Sequence, residues 1–133
     1  MDPNLLVSDQ AANGSHLLDD LAAVGFDVEV AFWARPTEVG SWYFYLASPS
    51  VDKTGALSAY RIVNAVVRKR PELGFGPLEI KLLGAKDSIA QAALASMKPK
   101  PYKGITSIGS RTFGGISFDG LYIYPRREPV VSA

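Results

Sequence analysis

Asp27 to Ser48, DVEVAFWARPTEVGSWYFYLAS, constrains the fold more than any other stretch. Two runs of β-branched and aromatic residues flank a break made by Pro36 and Gly40, which is the pattern of a β-hairpin. Side chains alternate between the two sides of a strand. With Arg35 set opposite Ser41 across a loop of Pro36, Thr37, Glu38, Val39 and Gly40, antiparallel pairing puts Phe32 opposite Phe44 and Val30 opposite Leu46. One face then carries Val28, Val30, Phe32, Ala34, Trp42, Phe44 and Leu46, apolar throughout, and is expected to meet the core. The other carries Glu29, Ala31, Trp33, Arg35, Tyr43, Tyr45 and Ala47, a mixture of rings and charges. A slip of one residue would turn a whole set outward, so burial of the apolar face should fix the register.

The 133 residues fit a single domain over 1–133, and a chain of this size buries roughly two-thirds of its unfolded surface. A hydrophobic content of 47% with 20% charged residues is that of a folded domain rather than a disordered one. There is no cysteine, which excludes disulfides and thiolate chemistry and is compatible with a reducing compartment. Met1, Asp2, Pro3 and Asn4 do not begin a secretory signal, and no apolar run approaches the roughly 20 residues of a membrane span. The expectation is a cytoplasmic bacterial protein with no membrane partner.

Charge is unevenly spread. Residues 1–34 hold six acids and no Lys or Arg, and residues 35–133 hold fourteen bases and seven acids, so the two parts carry −6 and +7. The simplest account sets the acidic first helix beside basic elements of its own fold; a basic ligand-binding face is the alternative.

Asp2 and Pro3 suit a helix start, and Val7, Ala11, Leu18, Leu21 and Ala22 follow helical spacing up to a stop at Gly25. This reads as one helix from Pro3 to Val24, or as two shorter ones broken at Gly14 and Ser15. His16 is the sole histidine, flanked by Ser15, Leu17 and Leu18 with no second His and no Cys to act with it, so a structural or surface role is favoured. Asp19 and Asp20 are consecutive and point about 100° apart on a helix, which does not suit a shared metal; no metal or cofactor is expected.

After a connection at Pro49 to Lys53, with Asp52 or Thr54 as cap, Leu57, Ala59, Ile62, Val63, Val66 and Val67 form the stripe of a second helix. Arg68, Lys69 and Arg70 at its end complement the helix dipole. Glu72 to Pro77 is a loop, and Leu78, Ile80 and Leu82 alternate with Glu79 and Lys81 as a third strand. Ser88 and Gln91 resemble a capping box opening a short alanine-rich helix through Met97. Lys98 to Lys103, with alternate prolines, is an extended basic connector. Ile105, Thr106 and Ile108 suggest a fourth strand. Ile116, Phe118, Leu121 and Ile123 suggest a fifth, with a break or bulge at Asp119-Gly120.

Two constellations bear on function. Trp42-Tyr43-Phe44-Tyr45 and Leu121-Tyr122-Ile123-Tyr124 each alternate an apolar residue with tyrosine. Were both in one sheet with the apolar residues inward, Tyr43, Tyr45, Tyr122 and Tyr124 would join Trp33 on the other face. Five half-exposed rings make a patch of about 400 to 600 Å². It calls for a cover from the chain's own helices, a second copy, or another ligand. The second constellation is the glycine-rich GITSIGSRTFGG, where Ser110, Arg111 and Thr112 could meet an anion. Its spacing is neither GxGxxG nor GxxxxGK[ST], and GxSxG is absent.

The AFW of the first arm, the ASP closing the second, and the terminal GLYIYP together resemble small bacterial α+β proteins of unknown function. The resemblance implies no activity and no functional residue. The expectation is an α+β two-layer domain, with a mixed or antiparallel sheet of about five strands and helices mainly on one face. Its expected role is a non-enzymatic interaction module, self-associating as a homodimer through Trp33, Tyr43, Tyr45, Tyr122 and Tyr124. A small enzyme or anion-binding domain using Ser110, Arg111, Thr112 and Asp119 is the alternative, with no substrate identified. Single-stranded nucleic acid, with Arg35, Lys81 and Arg111 on phosphates, is disfavoured because neither the RRM strand order nor its aromatic motif is present.

Overall fold

The hairpin forms, and it becomes the middle of a mixed sheet. The computed structural model describes residues 8–37, 40–76, 79–96, 106–108, 111–113 and 116–124. In chain order these give α1 (Ser8–Ala23), β1 (Val30–Pro36), β2 (Tyr43–Ser48), α2 (Pro49–Thr54), α3 (Ala56–Arg68), a 3-10 turn (Pro71–Leu73), β3 (Ile80–Gly84), α4 (Ser88–Ser96), β4 (Thr106–Ile108), β5 (Arg111–Phe113) and β6 (Ile116–Tyr124). The sheet order is β3-β2-β1-β6-β4, with β5 also on β6. Among the described strands only β2 and β3 are parallel, joined by a crossover through α2 and α3. Helices with a mixed sheet make this an α+β protein.

Two expectations need correction. Among the described residues the sheet has six strands, not about five, because β5 was not anticipated; its three residues continue along β6 in the register that β4 sets. The domain is also not two-layered. Leu17, Leu18 and Leu21 of α1 and Ala59, Val63 and Val66 of α3 cover one side of the sheet. Ala90 and Ala93 of α4 lie in a separate core on the other.

Consecutive residues of β1 and β2 are buried, as in strands covered on both faces, and the hairpin register decides which side chains share a face. The observed pairs are Val30 with Ala47, Phe32 with Tyr45 and Ala34 with Tyr43, one residue away from the pairing expected. Gly40, at a φ of 75° that favours glycine, donates its N–H to Pro36 O at 2.9 Å and closes the turn one residue shorter. That slip exchanges partners between the faces. Ala31, Trp33, Phe44 and Leu46 now meet α1 and α3, while Val30, Phe32, Ala34, Tyr45 and Ala47 meet α4. The bulge, by contrast, falls where the sequence places it. Arg35 pairs with Gly120 and Pro36 with Phe118, so Asp119 is the extra residue.

Helix α1 is continuous through Gly14, so the two-helix alternative does not hold. A β-carbon on Gly14 would stand 2.5 Å from Tyr124 Oη and 2.8 Å from Trp33 Nε1, and the missing side chain lets the helix settle onto both rings. Glycine within a helix costs roughly 0.5–1 kcal/mol relative to alanine. Here that is offset by burying two aromatic rings, and Tyr124 Oη donates to Ala11 O at 2.6 Å.

The span read as a connection, Pro49 to Lys53, is helical, capped by the buried Ser48 whose Oγ accepts from Ser50 N at 3.1 Å. Neither Asp52 nor Thr54 caps α3, which starts after Gly55 at φ 90° without a side-chain cap. Asp52 instead accepts from Ala85 N at 2.7 Å, tying α2 to the end of β3. Of the α3 stripe, Ala59, Val63 and Val66 are buried, and Leu57 and Ile62 face outward. The cap of α4 is Asp87, whose Oδ1 accepts from Ile89 N at 2.8 Å; Gln91 donates to Ala85 O, so the Ser88–Gln91 box does not form. Tyr60 Oη accepts from Leu82 N at 3.2 Å and donates to Ile80 O at 3.4 Å, occupying outward backbone groups of β3.

Arg70 pairs with Asp20 at 3.4 Å, which supports the account of the acidic first helix lying beside basic elements of the same fold. Among the described residues no helix is long and apolar enough to cross a membrane, and no cluster of three metal-ligating side chains occurs.

Candidate functional site

The five rings expected on one exposed face are divided and covered. Trp33 and Tyr124 are each 1% exposed and belong to the core under α1 and α3, with Tyr122 half-buried at its edge. Tyr45 is buried in the core under α4, with Tyr43 half-buried against it. Tyr45 stacks on Phe32 at 5.1 Å, and burial, with a smaller contribution from Tyr43, raises its phenol above its ordinary value. Lys81 Nζ lies 4.8 Å from the Tyr43 ring centre. The shared aromatic surface therefore does not exist, for the register reason given above. Of the anion-site candidates, Arg111 and Thr112 lie on β5, paired with Phe118 and Ser117, and Ser110 lies outside the described residues.

A different site assembles around Trp33. Its ring stacks on Phe44 at 4.9 Å and on Phe75 at 5.7 Å, so Phe75 anchors the glycine-rich loop after the 3-10 turn onto the sheet. Gly74 ends that turn at φ 74°, and its N–H bonds Pro71 O at 3.0 Å. Asn13 of α1 donates from Nδ2 to Leu73 O at 3.0 Å, holding helix and turn together. Glu79 closes the loop. Its N–H donates to Gly76 O and its Oε1 accepts from Gly76 N, both at 3.2 Å, while Phe44 N donates to Glu79 O at 2.8 Å.

Between these walls is a cavity of about 280 Å³, lined by Gln10, Asn13, Trp33, Glu72, Leu73, Gly74, Phe75 and Glu79. Two features of its chemistry stand out. Trp33 Nε1 is buried with no hydrogen-bond partner among the described residues, a state that costs about 1–3 kcal/mol. The carboxyl of Glu79 is raised above its usual range by burial, partly countered by the Gly76 N–H. Both charged residues of the lining, Glu72 and Glu79, are acids. The site can accept a proton or a cation at its carboxylates, and Gln10 and Asn13 bring amide groups to its lining.

Sequence reading included Trp33 but missed Gln10, Asn13, Glu72, Phe75 and Glu79. The available signal was ELGFGP itself: Leu73 and Phe75 are large apolar residues inside a glycine-rich loop, and such residues must dock somewhere. No protein family, curated protein or solved structure matches the chain.

Proposed function

We propose that this chain is a non-enzymatic binding domain that takes a small molecule in the cavity beside Trp33. The observation that carries the reading is the cavity itself, walled by Trp33 and Phe75 and lined by the polar side chains of Gln10, Asn13, Glu72 and Glu79. Ligand sites commonly combine aromatic walls with a few polar groups in this way. The test is a screen of small polar molecules by two-dimensional ¹H–¹⁵N NMR, with the Trp33 indole signal told from that of Trp42 by a Trp42→Phe variant. A saturable shift of the Trp33 signal is expected; a signal that no compound moves removes the reading.

A second reading keeps the expected self-association but moves it to the helical layer. Val24 and Ile62 are 56% and 43% exposed. Val24 borders a hollow of about 270 Å³ with Ala23, Val66 and Lys69, and Ile62 is one turn before Val66 on α3. Sedimentation velocity across a concentration series tests it. A dimer that Val24→Ser and Ile62→Ser convert to monomer supports it, and a monomer throughout excludes it.

A further inference from the structure

We propose that the outward face of α3 docks on an anionic membrane surface, a role separate from the cavity. What α3 buries fixes that face. Ala59, Val63 and Val66 enter the core and Tyr60 bonds β3, which leaves Leu57, Arg61, Ile62, Ala65, Arg68 and the capping Lys69 exposed. At about 100° per residue, Leu57 and Ile62 stand about 140° apart around the helix, and Ala65 and the three cations fall between them. The set runs for roughly 18 Å along the axis, and with long arginine and lysine stems to extend it, one flat partner can reach all of it.

Charge and hydrocarbon together select the partner. No acid occurs in α3. Arg70 is taken up by Asp20, whereas Arg61, Arg68 and Lys69 have no ion-pair partner among the described residues. The helix dipole accounts for cations at the end of α3 but not for Arg61 in its middle. Nor does it account for two aliphatic side chains left in water, Leu57 at 68% and Ile62 at 43% exposure. A bilayer with anionic headgroups answers both features, since the cations stay at the phosphates while the flanking aliphatic chains enter the acyl boundary. A nucleic acid would meet the cations, but this arc carries no ring on which a base could stack, and Leu57 and Ile62 would stay in water. A second copy laid on the same arc would set cation against cation. The docking is peripheral, with α3 lying along the surface and its packed side still on the sheet. The expectation of no membrane partner rests on the lack of a span and does not reach it.

The full chain is co-sedimented with vesicles of phosphatidylcholine alone and with vesicles of equal parts phosphatidylcholine and phosphatidylglycerol. Binding to the mixed vesicles should be at least about tenfold tighter and should weaken with added salt. Arg61→Gln, Arg68→Gln and Lys69→Gln combined should abolish that preference. All three positions are exposed, and an unchanged melting temperature reports that the fold is kept. Leu57→Ser should weaken binding to the mixed vesicles about threefold or more. Leu57 lies on the opposite margin of the arc from Ile62, so sedimentation of the lipid-free protein should not change, which separates this surface from the self-association considered above. Equal binding to the two vesicles, binding to neither, or a triple variant that binds as the parent does overturns the proposal. A Leu57→Ser protein that binds like the parent overturns the choice of a membrane, as does tighter binding of an oligothymidylate single strand than of the mixed vesicles at equal concentrations of anionic phosphate.

Discussion

The two sides of the sheet are packed by different means. Under α1 and α3 the core is built from rings, with Trp33, Phe44, Phe75 and Tyr124 stacked or edge-on at 4.9 to 5.7 Å. Under α4 it is the helix that is small, setting Ala90 and Ala93 against Ala34, Ala47 and the stacked Phe32–Tyr45 pair of the sheet. Small side chains let a helix approach a sheet closely and fill the gap with backbone. Large rigid rings hold the layers apart and bring polar atoms inside, here an indole N–H and a tyrosine hydroxyl. The cavity beside Trp33 lies on the side covered by α1 and α3.

The contrast can be broken in graded steps. Trp33→Ala should have the largest effect, destabilising by about 3–5 kcal/mol in a denaturant titration, since it removes the ring that Phe44 and Phe75 stack on. A loss under about 1 kcal/mol would mean that the rings are loosely held. Ala93→Leu tests the other side: overpacking at a fully buried position should cost about 1–3 kcal/mol. If it is neutral, the α4 side has free space and the comparison fails. Tyr124→Phe removes only the hydroxyl on Ala11 O and should cost about 0.5–1.5 kcal/mol.

Glu79→Gln should have the smallest effect at acidic pH and a growing one above it. Burial raises the folded carboxyl above its unfolded value, so the folded state holds the proton more tightly. Stability is then highest below the unfolded value and declines as pH rises through the raised folded one. The glutamine variant escapes that decline. Its melting temperature should match the parent at low pH and exceed it at neutral pH, and an equal offset at both would show that ionisation of Glu79 is not the cause.

Much of this was legible in the chain. The alternation within each arm of the hairpin, the helix over Leu17 to Leu21 and the irregularity at Asp119 all follow from spacing and glycine placement. How the two arms pair did not, because it depends on the conformation that Gly40 adopts, and a turn one residue shorter exchanges every partner. A cue was nevertheless present. VAFWA and YFYLA are apolar at nearly every position rather than at alternate ones, which marks strands covered on both faces. The cavity was harder to foresee, since it joins α1, β1 and the loop before β3, and no local pattern spans residues 10 to 79.

Tyr60 has a consequence for how the molecule behaves at high concentration. The outer margin of β3 offers backbone groups on which a foreign strand could extend the sheet, and the phenol oxygen already holds Ile80 O and Leu82 N. One side chain from a neighbouring helix thus works as a stopper against runaway polymerisation. A Tyr60→Phe chain would keep its shape yet lose that stopper, and fibrils seeded from this margin are the form its failure would take.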